Sequence, residues 1–307
     1  MNILVTGAAG FIGQHLVSKL IANGDCVVGL YHDRVAHDLP CAQVQGNILD
    51  FRRMLEIIVD WEIDQIYHLA SKAIVRNCRL DPVNCMNVNV MGTATILEAA
   101  RQSDRVTGIL VAESDKSYGS GPVPYKESQA IVPEAIYETS KACVSHLMRA
   151  YAVNYQVPVT SVRCANVYGA GDPNHSRLVP RTILRLLDGK RPQITTGAER
   201  FRREFVYVGD ACDAYQKIMA AGKWGQTFNV GSGECHTVRE AIQLICRAMG
   251  KENITPEEWD RPKTLLEIKD QWLCIDKLLS IWPEYQPRTM TDALPSIIDW
   301  YRRNSIV

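Results

Sequence analysis

The 307-residue sequence carries no net charge, because 34 lysines and arginines face 34 aspartates and glutamates. A balanced chain has no global field to recruit nucleic acid or anionic lipid. No basic stripe interleaved with aromatics supplies a local one. No apolar run approaches the roughly 18 residues that span a bilayer, so neither nucleic acid nor membrane is an expected partner. The opening Met1-Asn2-Ile3-Leu4-Val5 lacks the basic region and cleavage site of a secretory leader. The ten cysteines include no C-x-x-C, and most sit in apolar runs, as Cys26 and Cys246 do. Cysteines scattered in this way read as small core residues, which implies a reducing compartment, and the expected location is cytoplasmic. His15, His146 and His236 have no second ligand at useful spacing, so no metal is expected. Repeats, low-complexity tracts and long linkers are missing too.

What the chain does have is alternation. Ile3–Val5, Cys26–Leu30, Gln65–Leu69, Gly108–Ala112 and Val157–Val162 read as strands. Phe11–Ala22, Leu49–Val59, Val88–Ala100 and Ile136–Tyr155 read as helices. Strands alternating with helices of this length predict an α/β fold, a Rossmann-type doubly wound parallel sheet. Residues 1–163 are the expected dinucleotide-binding domain, and 164–307 form mainly a smaller substrate-binding cap. Phe205–Val208 and Thr227–Val230 are strands expected to return to the sheet. Helices are expected at Leu178–Leu187 and near Val238–Met249, Lys269–Ile281 and Thr291–Arg302. The cleft between the two parts is the default substrate site.

Thr6-Gly7-Ala8-Ala9-Gly10-Phe11-Ile12-Gly13 joins the first strand to the first helix. Gly7 suits a tight turn, Gly10 lets the backbone approach a pyrophosphate, and Gly13 lets helix and strand pack closely. The helix then offers unpaired N–H groups, at Phe11 and Ile12, to the phosphates. The second strand ends Leu30-Tyr31-His32-Asp33-Arg34. Tyr31 stands where an acid normally accepts from the adenosine ribose of NAD. Asp33 can take over that bond, or Arg34 can meet the 2′-phosphate of NADP. NAD is the expected cofactor and NADP the alternative.

Tyr137 and Lys141 are four residues apart, on one face of a helix. A free phenol is a weak base at neutral pH, but a lysine and an oxidised nicotinamide beside it lower its pKa. Tyr137 can then take a hydroxyl proton as hydride departs.

The glycine spacing and the tyrosine–lysine pair together resemble extended short-chain dehydrogenases/reductases, the NAD-dependent epimerase/dehydratase family. Other segments resemble it across almost the whole chain. Asn47 and Ile48 match the family's adenine-contacting segment. Leu69, Ala70 and Ser71 should line the cofactor, and Asn89 opens its helix in the family's register. Asn166, in Arg163-Cys164-Ala165-Asn166, is similar to a nucleotide-sugar contact, and Arg203 to the arginine that clamps a diphosphate. Arg177 and Leu178 lie in a stretch similar to the dehydratases' substrate segment. The resemblance implies a nucleotide-sugar substrate and a homodimer built through a four-helix bundle.

Ser114-Asp115-Lys116 discriminates within the family. Ser114 aligns with the serine or threonine that bonds the sugar hydroxyl beside the tyrosine. The 4,6-dehydratases carry an acid–base pair next, and Asp115-Lys116 is similar to that of CDP-glucose 4,6-dehydratases. Once C4 is oxidised, a neutral Lys116 would remove the C5 proton and a protonated Asp115 would donate to the departing C6 oxygen. Both states oppose the unperturbed ones, so the site must shift both pKa values. The expected activity is that of an NDP-hexose 4,6-dehydratase. The alternatives are an NDP-hexose epimerase and a non-catalytic nucleotide-sugar or NAD(P) sensor, for which Tyr137 and Lys141 would serve no purpose. Glu113 departs from the family pattern, which has a small residue there.

Overall fold

The computed structural model describes residues 1–33, 39–260 and 267–304. Its first strand, β1 (Asn2–Thr6), is apolar on both faces: Ile3 and Val5 enter one buried cluster and Leu4 the other. A strand buried on both sides needs helices over both. The chain supplies them through α1 (Phe11–Ala22), β2 (Cys26–Tyr31), β3 (Ala42–Gln45), α2 (Phe51–Asp60) and β4 (Gln65–His68). Two short helices, α3 (Val75–Leu80) and α4 (Pro82–Met86), and a π-helical turn (Asn87–Met91) lead into α5 (Gly92–Ser103). After β5 (Gly108–Ala112) comes a 3₁₀ turn (Asp115–Tyr118), then α6 (Ile136–Tyr155), β6 (Val159–Cys164) and β7 (Asn166–Tyr168). Next are α7 (Leu178–Leu187), β8 (Gln193–Thr195), β9 (Arg202–Tyr207), α8 (Val208–Ala221) and β10 (Thr227–Val230). The chain ends with β11 (Cys235–Thr237), α9 (Val238–Ala248), β12 (Glu257–Trp259), β13 (Asp270–Gln271), α10 (Asp276–Ile281) and α11 (Met290–Asn304).

The central sheet has seven parallel strands in the order β10-β6-β5-β4-β1-β2-β3, a Rossmann-type doubly wound arrangement. Helices α1 and α8 cover one face, burying Leu16, Val17 and Ile218. Helices α2, α5 and α6 cover the other, burying Ile57, Leu97 and Met148. Strand order reverses between β1 and β4, which opens a crevice at the strands' carboxyl ends. A second sheet is centred on β9, with β7, β11 and β13 around it. Helices α7, α9 and α11 pack there, through Ile183, Ile242 and Leu294 among others.

Three elements differ from expectation. Of the two strands expected to rejoin the main sheet, β10 does, beside β6, whereas β9 pairs with β7, β11 and β13. Lys269–Ile281 is not one helix, because Asp270 and Gln271 are drawn out to pair with Arg202 and Arg203. Between β2 and α2, where the sequence pattern indicates no strand, lies β3, whose Val44 alone is buried. Asn229, on β10 and fully buried, joins the parts. Its Nδ2 donates to the carbonyls of Tyr125 at 2.9 Å and Cys274 at 3.1 Å, and its Oδ1 accepts from the Tyr118 hydroxyl at 2.8 Å. Its backbone N–H donates to Glu127 at 2.9 Å.

Candidate active site

The site is built on the carboxyl ends of β1, β4, β5 and β6. Gly7 has φ +71°, and a Cβ there would lie 2.9 Å from the Ala70 nitrogen. A Cβ on Gly13 would meet the Gly7 carbonyl at 2.2 Å, so strand, turn and helix touch through glycine alone. Helix α1 starts behind Gly10 with no side chain capping it and no acid in its first turn. The N–H groups of Phe11 and Ile12 therefore head a helix end suited to an anion. These residues fit the pyrophosphate of a dinucleotide.

The segment after β4 is held from two sides. Thr6 Oγ1 lies 2.8 Å from Nδ1 of the buried His68 and accepts from the Ala70 N–H at 3.1 Å. Nε2 of His68 lies 3.0 Å from Thr93 Oγ1. Burial, then the charge of Lys141, pushes His68 down to about 3, so its ring is neutral. Asn89 is buried as well: its Oδ1 accepts from the Lys72 N–H at 2.7 Å and its Nδ2 donates to Ser140 at 2.9 Å. Asn89 thus fastens the Leu69–Lys72 segment to α6, and Leu69, Ala70 and Ser71 are left half-buried along the crevice. Ile48 is buried against Gly92, where a Cβ would lie 2.4 Å from its Cδ1. Asn47 turns its Oδ1 to the Leu49 N–H at 2.9 Å. Tyr31 ends β2, and Asp33 faces solvent 2.8 Å from His32 Nδ1. Arg34 lies outside the described residues.

Past β5 the turn starts at Ser114, whose Oγ accepts from the Lys116 N–H at 3.3 Å and donates to Asp115 Oδ1 at 3.2 Å. Tyr137 and Lys141 face this turn from α6, with 8% and 4% of their surfaces exposed, so both lie inside the wall of the crevice. Lys141 Nζ donates to the Ala112 carbonyl at 2.8 Å. Burial pulls Lys141 down to about 8 against the opposing charge of Glu113. Burial raises Tyr137, and a hydrogen bond from Ser114 works the other way. Val75, Cys78 and Cys85 form an apolar wall beside Tyr137. Asp115 is pushed up to about 6 by burial, with Lys116 opposing. Lys116 is lowered by burial, with Asp115 opposing. The structure therefore brings Ser114, Asp115, Lys116, Tyr137 and Lys141 together.

The expected substrate residues are more dispersed. Asn166 donates to the Glu204 carbonyl at 3.0 Å. Arg177 pairs with the buried Asp172 at 3.0 Å, and its positive charge acts to lower the Tyr137 pKa. Leu178 opens α7, half-buried. Arg203 is turned inward, donating to the carbonyls of Ile268 at 2.6 Å, Lys269 at 2.7 Å and Arg202 at 2.9 Å. A diphosphate would reach its guanidinium only by displacing these acceptors.

One residue and one pairing escaped the sequence reading. Gln271, fully buried on β13, accepts from Lys116 Nζ at 3.3 Å. Glu113 meets Arg163 at 3.0 Å beneath Lys141. The first partner lies 155 residues along the chain and the second 50, so no local pattern announces either. Among the described residues no cluster of His, Cys, Asp and Glu could hold a metal ion, and no helix is long and apolar enough to cross a membrane.

A model of the NAD dependent epimerase/dehydratase family matches residues 3–231. One relative is the trifunctional UDP-glucose 4,6-dehydratase/UDP-4-keto-6-deoxy-D-glucose 3,5-epimerase/UDP-4-keto-L-rhamnose-reductase of Arabidopsis thaliana. It is 28% identical over 99% of this chain, which spans 47% of that protein's length. The solved dTDP-glucose 4,6-dehydratase of Streptomyces venezuelae, with NAD bound, is 28% identical with a TM-score of 0.89, covering 99% of this chain and 98% of that one. The UDP-glucose 4-epimerase of Thermotoga maritima, solved with UDP-glucose, is 26% identical with a TM-score of 0.90, covering 99% of this chain and 100% of that one. With a match that runs from β1 past the end of β10, over the glycine turn and the Tyr137–Lys141 helix alike, this chain belongs to the NAD dependent epimerase/dehydratase family.

Proposed function

We propose that the protein is an NDP-hexose 4,6-dehydratase using NAD. The reading is carried by the buried Asp115 and the half-buried Lys116, beside Ser114 and Tyr137, with both pKa values displaced toward the uncharged forms. Dehydration needs that combination: a neutral amine to remove a proton and a neutral carboxyl to give one. An epimerase would use Ser114, Tyr137 and Lys141 in the same way but would have no task for such a pair.

NAD, when bound, accepts a hydride from the sugar's C4 and returns it to C6. Gly7, Gly10, Gly13 and the start of α1 hold its pyrophosphate, with Ile48, Asn47 and the Leu69–Ser71 segment alongside. Tyr137 takes the C4 hydroxyl proton while Ser114 bonds the same oxygen, and the Lys141 ammonium stabilises the phenolate. The resulting C4 carbonyl makes the C5 proton acidic, and Lys116 removes it. Asp115 gives its proton to the C6 oxygen as the C6–O bond breaks, and water leaves. Lys116 then returns a proton to C5. Tyr137 ends with the proton Asp115 has lost, and exchange with solvent resets both. Asn166, Arg177 and Leu178 are the proposed substrate contacts; Arg203, held on the carbonyls of Arg202, Ile268 and Lys269, is left out of that set. The working unit is proposed to be a homodimer in the cytoplasm.

The test is incubation with CDP-, GDP-, UDP- and dTDP-hexoses in heavy water, followed by mass spectrometry. Loss of water with one deuterium gained is the expected result. A changed sugar that retains its water would replace this reading with epimerisation.

A further inference from the structure

A lysine base ends in a rotatable amine on a four-carbon stem, so something must aim it. Lys116 Nζ donates to Oε1 of Gln271 at 3.3 Å. Gln271 is 0% exposed, and its Nε2 has no partner. Oδ2 of Asp115, next to Lys116, is also buried and unpartnered. Buried polar atoms are seldom left unpaired, and an unpaired amide donor on the hydrogen-bond partner of Lys116 and an unpaired carboxyl oxygen on its chain neighbour suit a hydroxylated ligand.

The mount is rigid. Arg203 donates to the carbonyls of Ile268 and Lys269, just ahead of β13. Glu204 accepts from the Leu273 N–H at 2.7 Å, just after it. The Tyr125 hydroxyl contacts the carbonyls of Gly119 at 2.6 Å and Asp270 at 3.2 Å, so the end of the Lys116 turn is tied to the residue before Gln271. The spacing of Lys116 and Gln271 is thus set by backbone contacts on both sides.

We propose that Gln271 is a further substrate-positioning residue: its carbonyl aims the Lys116 amine at C5 while its amide N–H donates to the C6 oxygen that Asp115 protonates. The proposal rests on the dehydratase reading. An amide suits the place because it does not titrate. A carboxylate there would hold Lys116 charged, adding to Asp115, Glu138 on α6 and Glu267 ahead of β13, and opposed by Arg203 on β9.

The experiment compares the wild type with Gln271→Leu and Gln271→Glu on the nucleotide hexose the wild type accepts. It reads C4 oxidation by absorbance at 340 nm and C5 deuterium exchange by mass. In both variants C4 oxidation should persist. Gln271→Leu should slow C5 exchange about 10- to 100-fold in kcat, the range for one hydrogen bond to a charged or reacting group, with KM little changed. Gln271→Glu should move the pH dependence of exchange to higher pH by at least about one unit, a shift that loss of packing would not produce. If the leucine variant fails to fold, the nearly isosteric glutamate variant decides. Exchange with wild-type rate and pH dependence in the glutamate variant would overturn the role of Gln271 alone. A wild type that dehydrates none of the four nucleotide hexoses would overturn the role and the dehydratase reading together.

Discussion

The Arg163 guanidinium and the Glu113 carboxylate meet 3.0 Å apart, their side chains 4% and 0% exposed. Ser145 on α6 donates to the same carboxylate and accepts from Arg163 at 2.9 Å, and Arg163 lies over the Tyr118 ring at 4.7 Å. The pair binds the ends of β5 and β6 to α6, one turn beyond Lys141. Deleting either partner strands the other charge in the interior, so Glu113→Gln or Arg163→Leu should cost about 3–5 kcal/mol. Replacing both by apolar residues of similar size should cost much less. Denaturant unfolding of the three variants checks this, and a double variant no better than the singles would contradict it.

Lys141 should set the alkaline limit of activity. With its pKa near 8, it is charged below that pH and neutral above. In the proposed mechanism that charge offsets the burial that disfavours a Tyr137 phenolate, so kcat/KM for C4 oxidation should fall as pH rises through about 8. Lys141→Met should lose about 10²–10⁴-fold in rate and flatten that limb. A limb that survives the substitution belongs to another group.

His68 should tie stability to acid. It titrates at about 3 in the folded chain against an ordinary 6.5. Between these values the unfolded chain binds a proton that the folded chain refuses. The stabilisation is therefore complete above 6.5 and is lost as pH falls toward 3. The slope reaches at most about 1.4 kcal/mol per pH unit. Unfolding midpoints from pH 7 to 4 should fall less steeply for His68→Asn, and equal slopes would remove His68 from the account.

Gly13→Ala should damage cofactor binding directly. The new methyl would sit 2.2 Å from the Gly7 carbonyl and 2.8 Å from that of Ala8, and backbone on both sides cannot give way locally. The turn must open, and calorimetry should read NAD affinity at least about tenfold weaker.

Local pattern was enough wherever an element's reason is local. Phe11–Ala22 and Ile136–Tyr155 run between the bounds their periodicity indicates, because each buries a continuous stripe against the sheet. Ser114, Asp115, Lys116, Tyr137 and Lys141 could be singled out, and their gathering at one site expected, because each lies within one short segment. Residues 269–281 misled, since Asp270 and Gln271 have nothing strand-like about them until Arg202 and Arg203 arrive to pair. The same distance hid Gln271 from the site and hid the inward turn of Arg203, which depends on carbonyls more than sixty residues on. Glu113 stood out as a departure, but only the neighbouring strand revealed its partner Arg163.

Asn229 bonds neither Lys116 nor Gln271, yet Tyr118, in the turn that bears Lys116, and Cys274, just past the strand that bears Gln271, are both fastened to it. Its four hydrogen bonds, to Tyr118, Tyr125, Glu127 and Cys274, make the last strand of the parallel sheet the datum for the cleft. The two walls can drift together with that strand, but neither can drift alone. Tolerance in the gap between them is therefore machined at an edge of the sheet, away from the chemistry that depends on it.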